Sequence, residues 1–386
     1  MPERPLRIAL LTYSTQPRGS VLHTLELAEA LHHLGHSVCI YALDKTGDGF
    51  DYPLSCDVKL IAAAAAPSQM EALIQQRIAE FVAQLSDDSL QYDCYHAQDC
   101  IGANALAMLV TQQKIPHFVR TVHHIEDYSS LYLQQCQDRS IRAAKLCFCV
   151  SEHWQLELQR QYQIQALRVL NGVNLRRFSA PTSAEADLQA NLRANLKANL
   201  GLQGWPIYLT VGGIEPRKNS LALLRAFHQI RAEYPQAQLV IAGGATLFDY
   251  QLYRDAFFDL ARQLKLEPSL RLPGVISHAE LPLLYRCADA FVFPSLKEGW
   301  GLVVLEAIAS GLPVITANQA PFTEFLSADQ ALLVDPLSID AIAAAMKTAI
   351  SSQRHALVQE SQLVLSQYSW EASAKLHLQY YRQPLP

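Results

Sequence analysis

Ala290-Phe291-Val292-Phe293, then Pro294-Ser295-Leu296-Lys297-Glu298-Gly299-Trp300-Gly301, then Leu302-Val303-Val304-Leu305-Glu306-Ala307-Ile308-Ala309-Ser310 reads as strand, compact loop and helix. Glycines at 299 and 301 tighten the loop and leave the backbone amides of residues 301 to 303 free at a helix start. Such amides, aided by the helix dipole, form an anion site. The stretch is one unit of a rhythm that runs through the whole chain.

Downstream and upstream of it, strands are expected at Ile207–Val211, Gln238–Ala242, Leu270–Leu272, Pro313–Thr316 and Leu332–Val334. Helices are expected at Ser220–Glu233, Asp249–Leu264, Leu302–Ser310 and Ile339–Ile350. In the first half, strands at Leu6–Thr12, Val38–Leu43, Val58–Ile61, Tyr92–His96, Phe118–His123 and Lys145–Val150 alternate with helices. Those helices are Leu22–Leu34 (closed by Gly35), Met70–Leu85, Ile101–Gln113 and one beginning at Glu152. Alternation at this spacing means a parallel sheet covered on both faces, formed twice: two doubly wound α/β domains. Leu188, Leu192, Leu196 and Leu200 recur every four residues in an Ala-Asn-Leu repeat and read as a short surface helix. The expected division is 1–178, a linker over 179–204 containing that helix, 205–366, and a terminal helix within 367–386 that packs back on the first domain.

The chain has 386 residues, 50% hydrophobic and 17% charged, which is ample material for two buried cores and excludes dominant disorder. Up to Phe178 it carries 15 basic and 18 acidic residues, and after it 16 and 18, so the halves hold −3 and −2 of the total −5. Neither half has the positive excess of a nucleic-acid binder, and no nucleic acid is expected as partner. No apolar run approaches a membrane-spanning length, and Ile8–Leu11 is too short for a signal-peptide core. Eight scattered cysteines without a C-x-x-C pair read as reduced, buried thiols of a cytoplasmic protein.

Open parallel sheets bind ligands at the carboxyl ends of their strands. After Val211 comes Gly212-Gly213-Ile214-Glu215-Pro216-Arg217-Lys218-Asn219, where glycines allow close backbone approach. There Arg217 offers a forked donor and Lys218 a point charge to phosphate oxygens. Gly243-Gly244 makes another tight turn at a strand end. Glu298 and Glu306 suit sugar and ribose hydroxyls, which need acceptors. If the helix were continuous through both, their directions would differ by roughly 80°. In the first half, His123-His124 ends a strand, where a histidine faces a cleft and titrates near neutrality. His96-Ala97-Gln98-Asp99 occupies the corresponding place one strand earlier, and Gly19-Ser20 precedes the first long helix. His32, His33 and His36 lack the companions of a metal site. No G-x-G-x-x-G follows Thr12 and no G-x-x-x-x-G-K-[ST] occurs, so the common dinucleotide and P-loop fingerprints are absent.

Taken together, these residues resemble a known family. Glu298 and Glu306, separated by seven residues and followed by Ala309-Ser310-Gly311-Leu312-Pro313-Val314, resemble the signature of the retaining glycosyltransferases of family 4, which have the GT-B fold. Leu10 to Val38, Val150-Ser151, Asn171-Gly172-Val173-Asn174 with Phe178, Val211 to Asn219, and Leu333-Val334-Asp335-Pro336 are similar to other segments of that family. The resemblance implies two Rossmann-like domains facing each other across a cleft, with a nucleotide-diphosphate sugar on the second and a hydroxyl acceptor on the first. It implies that Arg217 and Lys218 bind the diphosphate, aided by Gly213, Gly299, Gly301 and Leu302. Glu306 would then take the ribose hydroxyls, Glu298 the donor sugar, and Gly274 and Val275 the base. His123 would contact the donor sugar with His124 as fallback, Glu324 matches a looser element, and Gly19 belongs to the opening loop. This chain departs in having Gly213 where many members carry Arg, Gly19 alone where paired glycines are frequent, and Asn174 in place of Asp.

The implied activity is metal-independent transfer of a hexose, with retention, from a GDP- or UDP-linked donor to a saccharide, lipid-linked saccharide or small-molecule acceptor. No permanent cofactor is expected, and the Glu-Pro-Arg-Lys-Asn form leans towards GDP-mannose. The alternatives are a non-catalytic nucleotide-sugar-binding subunit, or a GT-B epimerase or phosphorylase. A cytoplasmic enzyme, at most loosely associated with a membrane surface, is expected.

Overall fold

A computed structural model describes residues 4–87, 91–180, 185–244 and 250–383. The chain forms two units, Met1–Gly172 with Tyr368–Pro386, and Val173–Gln367.

The first unit runs β1 (Arg7–Thr12), α1 (Gly19–His33), β2 (Ser37–Asp44), β3 (Asp57–Ala62), α2 (Met70–Asp87), β4 (Cys94–Ala97) and α3 (Cys100–Thr111). It continues with β5 (Val119–Val122), α4 (Leu131–Arg142), β6 (Leu146–Cys149), α5 (Glu152–Tyr162) and β7 (Leu167–Arg168). All strands are parallel, in the order β3-β2-β1-β4-β5-β6-β7. The apolar runs of β1 and β2 are almost wholly buried because helices cover both sheet faces.

The second unit begins with α6 (Leu175–Phe178) and α7 (Ala186–Asn199). Its sheet is built from β8 (Ile207–Val211), α8 (Ser220–Glu233), β9 (Gln238–Ala242), α9 (Gln251–Gln263), β10 (Leu270–Gly274), α10 (Leu281–Cys287), β11 (Ala290–Phe293), α11 (Leu302–Ala309), β12 (Val314–Ala317) and β13 (Leu332–Val334). After these come α12 (Ile339–Ala349) and α13 (Arg354–Gln362). The strands are again all parallel, ordered β10-β9-β8-β11-β12-β13. The last helix, α14 (Trp370–Tyr381), belongs to the first unit and lies against α1. The two doubly wound α/β units expected from the sequence are therefore present.

Both sheets reverse direction of winding once, between β1 and β4 and between β8 and β11. Loops leaving a sheet at such a point part to opposite faces and open a crevice at the strands' carboxyl ends. In the second unit the two loops concerned are 212–219 and 294–301.

Side-chain caps set several helix starts: Asp99, Ser151, Ser338 and Ser369 each accept a hydrogen bond from an amide in the first turn. Helix α1 departs from expectation by starting at Gly19, so Gly19 and Ser20 lie inside it, with Arg18 as cap. Helix α4 was not legible because its glutamine-rich sequence buries only Cys136, Ser140 and Ile141. The leucines at four-residue spacing do not form one packed stripe: Leu196 is buried while Leu188 and Leu192 are exposed. A step of four residues overshoots a 3.6-residue turn by about 40°, which carries successive leucines off the interface. The start of the expected Asp249–Leu264 helix, Asp249, lies outside the described residues. All eight cysteine thiols are free, and no helix among the described residues is long and apolar enough to cross a membrane.

Candidate active site

The loops after β8 and β11 meet through four charged side chains. Lys218 Nζ lies 2.6 Å from Glu298 Oε1, and Arg217 Nη1 lies 3.1 Å from the same oxygen. Arg217 Nε donates to Glu215 Oε2 at 2.9 Å. Two cations and two carboxylates thus form one network, with Glu298, Glu215 and Lys218 largely buried. Burial alone would raise the Glu298 carboxyl, but the Lys218 and Arg217 cations hold it below the ordinary carboxylate range. Burial pulls the Lys218 ammonium down, against the attraction of Glu298. Its Nζ also lies 4.3 Å from the centroid of the Phe293 ring, a cation–π seat at the end of β11.

Backbone and side-chain bonds fix the loop that carries the cations. Pro216–Lys218 forms a single 3-10 turn, and Asn219 follows in the left-handed region at φ 58°. Asparagine tolerates that conformation better than most residues. Its side-chain amide donates to the carbonyls of Pro294 (3.2 Å) and Pro336 (2.6 Å), tying together the loops after three strands. The Leu296 amide donates to the Arg217 carbonyl at 2.8 Å.

Gly213 is packed against the next glycine turn: a Cβ there would stand 2.6 Å from the Gly244 carbonyl oxygen and 2.9 Å from Glu215 Oε1. No side chain fits at position 213, and the guanidinium this loop carries is that of Arg217. Gly244 in turn abuts Val275, which is exposed beyond the end of β10. Gly274 closes that strand, and its carbonyl accepts from the Gly243 amide at 2.8 Å.

Helix α11 begins as expected at Leu302, without a side-chain cap on its first amides. Gly301 caps it at φ 100°, and a Cβ there would collide with the Phe322 ring at 2.7 Å, so both conformation and space require glycine. Gly299 is half-buried in the loop before it. Glu298 lies before the helix, so the roughly 80° relation to Glu306 drawn for a continuous helix does not apply. Glu298 is engaged by Arg217 and Lys218. Glu306 is buried within α11, and its Oε2 accepts from the Tyr285 hydroxyl at 2.8 Å. Glu324 ends the 3-10 turn Phe322–Glu324.

The candidate histidines, His96, His123 and His124, belong to the first unit. His123 Nε2 lies 3.0 Å from Gln98 Oε1, and its ring meets His23 edge-on at 4.9 Å between centroids. The expectation that it titrates near neutrality fails: burial, then the neighbouring His23 and Arg120, hold it well below 6.5. It is a neutral imidazole at physiological pH. His124 pairs with Glu126 at 2.6 Å. His96 is fully buried, with Nδ1 2.6 Å from the Tyr381 hydroxyl and Nε2 2.7 Å from Thr121 Oγ1, and serves packing. Sequence reasoning missed Glu215, Asn219, Phe293 and Tyr285 as parts of the site. Glu215 and Asn219 were within reach, since they flank the Arg-Lys pair in one short loop.

Residues 193–368 match the model for glycosyl transferases group 1, and residues 18–172 match that for a glycosyl transferase 4-like domain. The O-antigen chain mannosyltransferase B of Escherichia coli is 29% identical over 284 residues, covering 72% of this chain and 71% of that protein. Sucrose-phosphate synthase from Thermosynechococcus elongatus superposes with a TM-score of 0.78 at 24% identity, covering 98% of each chain. The Anabaena protein HepE, solved in complex with UDP and glucose, gives 0.77 at 18% identity, covering 98% of this chain and 100% of that one. These likenesses show the GT-B fold, and the two family models between them account for both units: the chain belongs to the glycosyltransferases, of the group 1, family 4 type.

Proposed function

We propose that this chain transfers a hexose from a nucleotide-diphosphate sugar to an acceptor hydroxyl, with retention of anomeric configuration and without a metal ion. The observation that carries the reading is the Arg217–Lys218–Glu298 network at the winding reversal of the second sheet, beside the start of α11, which has no side-chain cap. Departure of a nucleoside diphosphate develops negative charge on the β-phosphate. Arg217, Lys218 and the amides near Leu302 are donors fixed in advance for that charge, and preorganised donors in a dry site are an effective source of rate. Glu306 takes the ribose hydroxyls, Glu298 the donor sugar, and the backbone at Gly274 and Val275 the base.

With cations supplied by the protein, the leaving phosphate itself accepts the acceptor's proton as the new bond forms on the face it vacates. That route preserves configuration without a carboxylate nucleophile. His123 of the first unit, held neutral, positions hydroxyls and takes up no proton. The complex of HepE with UDP and glucose supports a nucleotide-sugar donor, and the likeness to a mannosyltransferase together with the Glu-Pro-Arg-Lys-Asn loop favours mannose from GDP.

A thermal-shift series with UDP-, GDP- and ADP-sugars tests the donor, because a ligand that binds only the native state raises its melting temperature. Transfer is then followed with the stabilising donor, with and without a chelator, and the anomeric configuration of the product read by NMR. A stabilising donor that is neither transferred nor hydrolysed would favour the non-catalytic reading. An inverted product or full loss of rate with chelator would overturn the corresponding part.

A further inference from the structure

Glu306 sits in the second turn of α11 with almost no exposure, so its carboxylate needs hydrogen-bond donors from within the protein. Tyr285 of α10 supplies one. Its hydroxyl lies 2.8 Å from Glu306 Oε2 and 3.3 Å from the carbonyl of Val303, one turn earlier in the same helix. One phenol therefore spans the first turn of α11 and the carboxylate on the second. Burial and the adjacent Glu306 charge push the phenol well above its ordinary value of 10, so it remains protonated and is the donor.

The ring that carries this hydroxyl is held from several sides. It packs edge-on against Phe178 at 5.7 Å and at a tilt against Phe291 at 5.7 Å. Phe178 is covered in turn by the Arg177 guanidinium, 4.7 Å from its centroid. Next along α10, Arg286 donates to the carbonyls of Arg177 (3.1 Å) and Ser179 (2.6 Å), which keeps the segment carrying Phe178 against the helix. The ring is thus fixed, and of the two acceptors within reach of its hydroxyl the Glu306 oxygen is the nearer, at 2.8 Å against 3.3 Å for the Val303 carbonyl.

We propose that Tyr285 is a positioning residue that sets the Glu306 carboxylate for the ribose hydroxyls of the donor. This rests on the reading of Glu306 as the ribose contact. A glutamate side chain has three soft torsions, and a single hydrogen bond from a fixed donor removes most of the freedom of the last. Pairing a vicinal diol with a carboxylate depends on that torsion, so the phenol acts on how well ribose is told from deoxyribose.

The test measures binding of UDP and GDP, and of their 2′-deoxy and 3′-deoxy forms, to wild type, Glu306→Ala, Tyr285→Phe and the double variant of the full chain. Wild type is expected to prefer the ribo form, and Glu306→Ala to lose that preference. Tyr285→Phe, which keeps the ring, is expected to cut the preference by about tenfold, the scale of one hydrogen bond to a charged group. Binding of the deoxy forms should hardly change, and the double variant should match Glu306→Ala. If Glu306→Ala keeps the ribose preference, or neither nucleotide binds wild type, the reading of Glu306 falls. If Glu306→Ala loses it while Tyr285→Phe retains it in full, that reading stands and the role of Tyr285 is overturned. Phe178→Leu, which leaves the hydroxyl but loosens its ring, carries the same comparison if Tyr285→Phe does not fold: a reduced preference supports the role, an unchanged one overturns it.

Discussion

Lys218 and Glu298, eighty positions apart in sequence, are joined by a 2.6 Å ion pair that closes the loop after β8 onto the loop after β11. The cations proposed to bind the donor already hold a carboxylate. Any diphosphate must therefore displace or share Glu298, and its attraction to the cations is offset by the weakening of that ion pair.

It follows that Glu298→Gln should bind bare nucleoside diphosphate more tightly than wild type, by several-fold, while transfer falls by at least about a hundredfold. Calorimetry with UDP and GDP, beside initial transfer rates, separates the two effects. Weaker binding of the bare nucleotide would show that Glu298 does not compete for the cations.

Removing the cations acts in the opposite sense. Arg217→Ala and Lys218→Ala should each lower turnover by about a hundred- to a thousandfold, the usual cost of losing one preorganised donor at a developing charge. Circular dichroism should stay that of wild type. Variants transferring at the wild-type rate with every donor would remove the diphosphate from this loop.

Two glycines offer a matched pair. Gly213→Ala places a methyl group 2.6 Å from the Gly244 carbonyl oxygen and should destabilise the second unit by about 1–3 kcal/mol through overpacking, with weaker donor binding. Gly19→Ala meets nothing within 4 Å at the first position of α1 and should leave the melting temperature unchanged or slightly raised. Equal effects from the two would contradict the close crossing of the 212–213 and 243–244 turns.

Acid should weaken the first unit through its buried histidines. Burial lowers His23 to about 4 and His377 to about 3, against 6.5 when unfolded. Between those values the unfolded chain binds more protons, so stability is full above about pH 6.5 and falls as pH drops through the window towards 4 and then 3. The slope is at most about 1.4 kcal/mol per pH unit for each such group. Urea titrations from pH 7 to pH 4 measure it, and His377→Leu should flatten the curve. A stability that rises on acidification would contradict a neutral cluster.

Strand and helix alternation was readable because β8, β9, β11 and β12 are short apolar runs with no competing period, and α8 spans the expected Ser220–Glu233. Motif spacing also led to Arg217, Lys218 and Glu298. Their partnership was not readable, since it depends on two loops from distant parts of the chain meeting where the sheet winding reverses. The low titration of His123 was equally hidden: its neighbours His23 and Gln98 come from α1 and the end of β4, and burial is a property of the packed unit. The twelve-residue α4 and the two-residue β7 carry too few buried residues to mark themselves.

The chain leaves the first unit after Gly172 and returns to it at Tyr368. A Cβ on Gly172 would run into the backbone of Ser369 and Trp370, so the points of exit and return touch. The second unit is accordingly an insertion into the first, in the manner of a cassette. A gene lacking codons 173–367 would need only a few linking residues to encode a continuous first unit, with α14 still seated on α1. A simple truncation after Gly172 would strip that helix away and bare the histidine cluster beneath it.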